Sequence, residues 1–194
     1  DSARAEAAGK VFLARFAADG RSAAVRERLA GLQYRNRDLP AVYRTLSPLL
    51  GGNGAARHPE SYYYFGKACA SAGEAAQAER AMLRYLAAVP QEGASFLASD
   101  ARVVAASARL SRRDSAGAME MYRAGYEASR GEQREMFLYK MGDLRRSEGR
   151  PAEARSLWEQ LVREGKDPVW TRLAAQSLAD LEWRAKWGSG GASK

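Results

Sequence analysis

At 194 residues, 46% of them hydrophobic, the chain can bury a real core, and its wealth of Ala, Leu, Arg and Glu beside six prolines favours helix. A formal charge of +8 attracts acidic proteins, nucleic acid or anionic membranes, while a single Cys and a single His argue against a disulfide framework, a histidine triad and a histidine-based zinc site. No apolar run approaches the roughly 20 residues that span a bilayer, and residues 1–20 lack the basic, apolar and small-residue order of a secretory signal.

In chain order, residues 3–18 read as the second helix of an incomplete unit, with Ala8 and Phe12 at an Ala-x3-aromatic spacing, and a preceding helix is expected to complete it. The absent initial Met points to a processed precursor or an excised fragment. A first complete unit is expected near 23–56, and Arg21, Arg28 and Arg35, seven apart, fall within about 40° on one helical face. "GGNG" from Gly51 has no following Lys-Ser/Thr and leaves no strand, so it is a linker and no phosphate loop. His58, inside "RHPE", enters the next helix, and Cys69 reads as a small core residue. Further units are expected near 59–92, 99–132 and 135–166, the stretch Gln91–Phe96 being an insertion site between two of them. A capping helix over 167–187 follows, with Asp167 as N-cap and Pro168 in the first helical position, its apolar face carried by Trp170, Leu173 and Leu181. Residues 188–194 are a flexible tail, which leaves 1–187 as one expected domain.

A repeated spacing supports these units. Around Gly66, Tyr62 lies four before, Gly73 seven after, Ala78 twelve after, Met82 sixteen after and Pro90 twenty-four after. Around Gly142 the frame returns as Leu138, Gly149, Ala154 and Trp158, with Pro168 two residues late. Ala106, Ala118 and Tyr122, and again Ala30, Val42 and Leu46, mark two weaker copies. Unit starts at Ala23, Pro59, Ser99 and Glu135 are separated by 36, 40 and 36 residues. The pattern resembles the tetratricopeptide repeat, W-x2-L-G-x2-Y then A-x3-F then P, in degenerate form, because Cys69, Arg109 and Arg145 stand where that repeat has Tyr. The resemblance implies an all-α fold, a right-handed α-solenoid of stacked helix-turn-helix repeats, whose first helices line a partner-binding groove. Mapped residue by residue, that groove takes Arg28, Tyr34, Arg35, Tyr63, Lys67, Val103, Ser107, Tyr139, Asp143 and Arg146. No Asn is among them, so the carboxylate clamp of the chaperone-binding members is not expected.

Catalysis finds no support in the motifs. Carboxylates such as Glu74/Glu79 and Glu148/Glu153 recur at repeat intervals and read as solvated faces, and no serine sits in a nucleophile elbow. No catalytic residue, metal or cofactor is expected. Charge is more telling: residues 21–58 carry seven Arg against two acids, whereas 59–98 carry three cations against four acids. Arg outnumbers Lys 25 to 6, as a GC-rich genome would produce, and bases elsewhere are interleaved with acids, which disfavours nucleic acid. The expectation is a non-catalytic scaffold or assembly factor that binds a protein or peptide, acidic in character, within a bacterial complex. Its expected location is the periplasm or cell envelope, with the cytoplasm as the alternative. Two other readings are a helical appendage of an enzyme such as a cell-wall lyase and a basic nucleic-acid adaptor.

Overall fold

A computed structural model describes residues 2–90 and 95–187. Asp1, most of the Gln91–Phe96 insertion and the 188–194 tail lie outside the described residues. Ten helices follow one another without a strand among the described residues: α1 (Ser2–Arg15), α2 (Ser22–Arg35), α3 (Leu39–Leu50), α4 (Pro59–Ser71), α5 (Ala75–Ala88), α6 (Phe96–Ser111), α7 (Ser115–Ala128), α8 (Gly131–Ser147), α9 (Pro151–Glu164) and α10 (Pro168–Trp187). The described residues fall into two compact units, one of residues 2–90 with 100–114, the other of residues 95–99 with 115–187.

Within the first unit α1 packs on α2, α2 on α3, α3 on α4 and α4 on α5, while α2 also reaches α4. Within the second, α7 packs on α8, α8 on α9 and α9 on α10, and α8 also meets α10. Helices α2, α3, α4, α8 and α9 thus each pack against both their predecessor and their successor, which suits chains whose apolar residues recur at three- and four-residue intervals.

The frame seen in the sequence has a backbone counterpart. Arg37, Gly73, Arg113 and Gly149, each seven residues beyond Ala30, Gly66, Ala106 and Gly142, adopt φ of 60°, 79°, 62° and 72°. In all four turns the following residue donates its backbone N–H to the carbonyl five residues earlier at 2.9 Å, as in Asp38 to Gln33, Glu74 to Cys69, Asp114 to Arg109 and Arg150 to Arg145. This bond ends a helix by closing over a left-handed residue and satisfies a carbonyl that the helix leaves open. The positions twelve beyond the anchors, Val42, Ala78, Ala118 and Ala154, are completely buried.

The anchor glycines make room. A Cβ built on Gly142 would stand 2.4 Å from Nε1 of Trp158, and one on Gly66 would stand 2.8 Å from Cε of Met82. The larger neighbours are the residues sixteen beyond each anchor, both fully buried. Trp158 holds its place by donating from Nε1 to the Tyr139 carbonyl at 3.3 Å. A third close approach lacks a counterpart in the repeat frame: a Cβ on Gly125 would fall 2.3 Å from Cζ of Phe137.

Carboxylates join successive pairs. Glu27 on α2 accepts from the backbone N–H groups of Arg57 and His58 and from the Ser61 hydroxyl, at 3.0, 2.9 and 2.9 Å, just ahead of Pro59. Glu135 on α8 accepts from the backbone of Lys166 and Asp167 at 2.8 and 3.0 Å, just ahead of Pro168. In both cases an acid on a first helix ties down the chain entering the helix after the next one, where free N–H groups and the helix dipole favour negative charge. Asp167 caps α10 by accepting from Val169 and Trp170.

Two stability predictions follow from the turns and crossings. Arg37→Gly and Arg113→Gly should each raise stability by about 0.5–1 kcal/mol, because a side chain in the left-handed region is strained and Gly is not. Gly142→Leu should cost about 1–3 kcal/mol or more by overpacking against Trp158. Chemical denaturation of the single variants checks both signs.

Candidate partner-binding surfaces

In the first unit, α2, α4 and the Asp100–Ser111 part of α6 carry the first seven of the residues mapped from the repeat. The structure brings several of them together around a group of tyrosines. Tyr34 stacks on Tyr64 with ring centroids 4.5 Å apart and meets Tyr63 edge-on at 5.9 Å. Tyr63 is 2% exposed, so its ring belongs to the core, where it also packs against Tyr85 at 5.4 Å. Its hydroxyl donates to Oδ2 of Asp100 at 2.7 Å, and Nζ of Lys67 reaches the same oxygen at 2.9 Å. Tyr63 and Lys67 are thus joined through a carboxylate that the sequence mapping did not contain.

Arg28 and Arg35 are exposed on α2 and line a groove with α1. Neither forms an ion pair or hydrogen bond among the described residues. Val103 is half-buried and Ser107 exposed on α6. Tyr64, which the mapping also missed, is the half-buried tyrosine of α4 that accompanies Tyr34. A signal for it was present in "SYYYFG", where three consecutive tyrosines must face three directions on a helix.

Tyr139, Asp143 and Arg146 lie in the second unit on α8. The Tyr139 ring packs on Trp158 at 6.0 Å and on Trp170 at 5.7 Å, and its hydroxyl lies 3.3 Å from that of Ser177. Tyr139 thereby ties α8 to α9 and α10. Asp143 and Arg146 form an ion pair at 2.6 Å. That hydrogen bond holds the guanidinium above its ordinary range. The three residues share a helix face, with the charged pair outward and the phenol packed.

Several carboxylates read from the sequence as solvated are engaged. Glu79 accepts from Arg109 at 2.7 Å and from Arg112 at 2.6 Å, with its side chain 14% exposed. Glu148 and Glu153 both meet Arg145, at 2.7 and 3.2 Å, and both also meet Arg150. An arginine standing where the repeat has tyrosine, at Arg109 and at Arg145, is matched in each case by acids packed beside it. Burial pushes the Cys69 thiol up to about 12, which leaves it a protonated core residue at neutral pH. Among the described residues no group of three or more His, Cys, Asp or Glu is placed to hold a metal ion.

Burial, reinforced by the Asp100 hydrogen bond, holds the Tyr63 phenol well above the usual tyrosine range, and burial raises Tyr64 in the same direction. A phenol that resists ionisation when folded stabilises the fold fully below its unfolded pKa of about 10 and loses that contribution as the pH climbs further. Stability should therefore fall above about pH 10, and Tyr63→Phe should flatten the fall while costing about 1 kcal/mol at neutral pH. Denaturation midpoints measured across the alkaline range check the slope.

The sequence matches no family model and no curated relative. Among solved structures, the crystal structure of MamA, a tetratricopeptide-like helical-repeat protein, is similar over 81% of this chain and 84% of its own, with a TM-score of 0.58 and 16% identity. With ten helices and no strand among the described residues, the fold class is the all-α helical-repeat solenoid.

Proposed function

We propose that the chain is a non-catalytic protein-interaction module, a degenerate tetratricopeptide-like scaffold or assembly factor that receives a segment of a protein partner along its first helices. The observation that carries this reading is the surface of α2 and α4, where the stacked pair Tyr34 and Tyr64 accompanies the exposed cations Arg28 and Arg35. Paired phenols offer contact area at low entropic cost, and arginine pairs bidentately with carboxylate. An acidic, partly aromatic segment suits both. The helical-repeat fold shared with MamA supports the module reading, since stacked helix pairs present extended faces suited to partner segments. A place within a bacterial envelope complex is part of the proposal and rests on the likeness of the repeat to helical-repeat proteins of bacterial envelopes.

A photo-crosslinking side chain at Tyr64 should attach the chain covalently to one partner protein in cells of the source organism, whereas the same group at Arg44 on α3 should not. Arg44 is exposed and lies on a second helix of the same unit. Attachment from 44 but not from 64 would assign binding to the second helices, and no adduct from either would remove the module reading for this unit. Tyr64→Ala should weaken the identified partner by about 1–2 kcal/mol in calorimetry, as loss of a buried aromatic anchor does.

A further inference from the structure

A pocket of about 410 Å³ opens within the second unit, between the end of α7, the first turns of α8 and the end of α9 with the link that follows it. Its apolar floor is Leu138 and Leu161, both buried, with the half-buried ring of Tyr126. Around the floor stand three exposed cations, Arg130, Arg134 and Lys166, and two acids, Glu135 and Glu164. A cleft of this size, apolar within and edged by a few convergent polar groups, has the usual form of a small-ligand site.

The lining is rich in donors and poor in free acceptors. Both oxygens of Glu135 accept from the backbone N–H groups of Lys166 and Asp167, and those of Glu164 accept from Gln160 at 3.1 Å and Arg163 at 3.0 Å. The last two donors hold the Glu164 carboxyl below its ordinary range, and the charge of Arg134 adds to them from further off. Arg130, Arg134 and Lys166 form no ion pair among the described residues. Arg134 is nevertheless held in position, with Cζ 4.3 Å from the centroid of the Tyr126 ring and Nη2 donating to the Tyr126 hydroxyl at 3.0 Å. A guanidinium stacked on a phenol loses little freedom when its remaining N–H groups meet a carboxylate, whose shape their fork matches.

The repeat does not require these charges. Gly66 and Gly142 are 76 residues apart, and the positions 76 before Arg130 and Arg134 are Gly54 and His58, so the frame is built there without either arginine. The floor and the cations also exclude simpler occupants. A bare inorganic anion would leave the apolar floor uncovered, and an uncharged apolar molecule would remove water from the cations and return nothing.

We propose that this pocket binds an organic carboxylate, whose apolar body rests on Leu138, Leu161 and the Tyr126 ring while its carboxylate pairs with Arg134 and Arg130. The site uses no residue of α2 or α4 and does not depend on the interaction-module reading.

The probe is phenylbutyrate, with phenylbutanol and phenylbutylamine as twins of similar shape, titrated into the full chain at physiological salt and followed by the NMR shifts of the Leu138 and Leu161 methyl groups. The acid should bind at least about tenfold more tightly than the alcohol, the effect of one hydrogen bond to a charged group, and the amine should bind more weakly still. Arg134→Gln should weaken the acid at least about tenfold and leave the alcohol within about twofold, a split that unfolding would not give. Equal affinity for acid and alcohol, an acid indifferent to Arg134→Gln, or shifts that bypass both leucines would each overturn the proposal. Inorganic phosphate that displaced the acid at equal concentration would also overturn it, by reducing the pocket to a plain anion site. A capped peptide carrying Glu beside Phe separates two sources of the same chemistry: competition with the acid assigns the carboxylate to a side chain of a protein partner, and no competition assigns it to a free small molecule, the proposal being upheld in either case.

Discussion

The left-handed turn at Arg37, Gly73, Arg113 and Gly149 is the constraint on which the rest of the architecture depends. A helix that ran on would present its apolar stripe to solvent, and one that ended loosely would set the next helix at an arbitrary angle. Closing each end with a left-handed residue and a backbone bond to the carbonyl five positions earlier gives the same reversal four times. The turns themselves recur after 36, 40 and 36 residues, the same steps as the unit starts. Two copies use arginine there and keep the geometry despite the strain, so the bond and the packing beyond it outweigh a cost of about 1–2 kcal/mol per side chain.

Once the reversal is set, the separation of the paired helices depends on what stands at the anchor and sixteen residues on. Gly142 against Trp158 and Gly66 against Met82 are complementary in size, the missing Cβ on one helix being occupied by a large side chain from the other. Close packing of this kind resists change at either member, because interiors have little spare volume. It explains how Trp158, the largest buried side chain, sits at 0% exposure in a short helix pair. Gly125 and Phe137 use the same device one junction earlier. That pairing joins a second helix to the next first helix.

The helices and the turns at Gly73 and Gly149 were legible in the sequence because they depend on neighbours within one pair, whereas the turns at Arg37 and Arg113 carry no glycine to mark them. Glycine seven beyond an anchor, Ala twelve beyond and an aromatic sixteen beyond are local spacings, and local geometry reads them. The fate of polar side chains was not legible for the same reason turned around. Whether Tyr63 or Tyr64 faces outward depends on the roll of α4 against α2 and α5, and a shift of one residue on a helix is 100°. Asp100, which receives Tyr63 and Lys67, is more than thirty residues away from both in the chain. Glu79 looked like one more solvated acid until Arg109 of α6 and Arg112 of the turn after it were placed beside it.

The fate of those acids bears on where the chain's charge acts. Glu27 and Glu135 bind backbone at helix entries, Asp100 holds a phenol and an ammonium, and Glu79, Glu148 and Glu153 neutralise arginines. Acids spent on joining helices are withdrawn from balancing the outer surface, so the formal +8 is expressed most strongly where arginines have no such neighbour. Arg28 and Arg35 are two of these, on the helix that carries the most basic stretch of the sequence. Arg28 and Arg35 stay exposed on α2, the helix that also carries Tyr34 and one wall of an apolar groove. In the proposed reading a partner segment of acidic character suits these arginines and tyrosines, and neither the repeat pattern nor the net charge alone points to them.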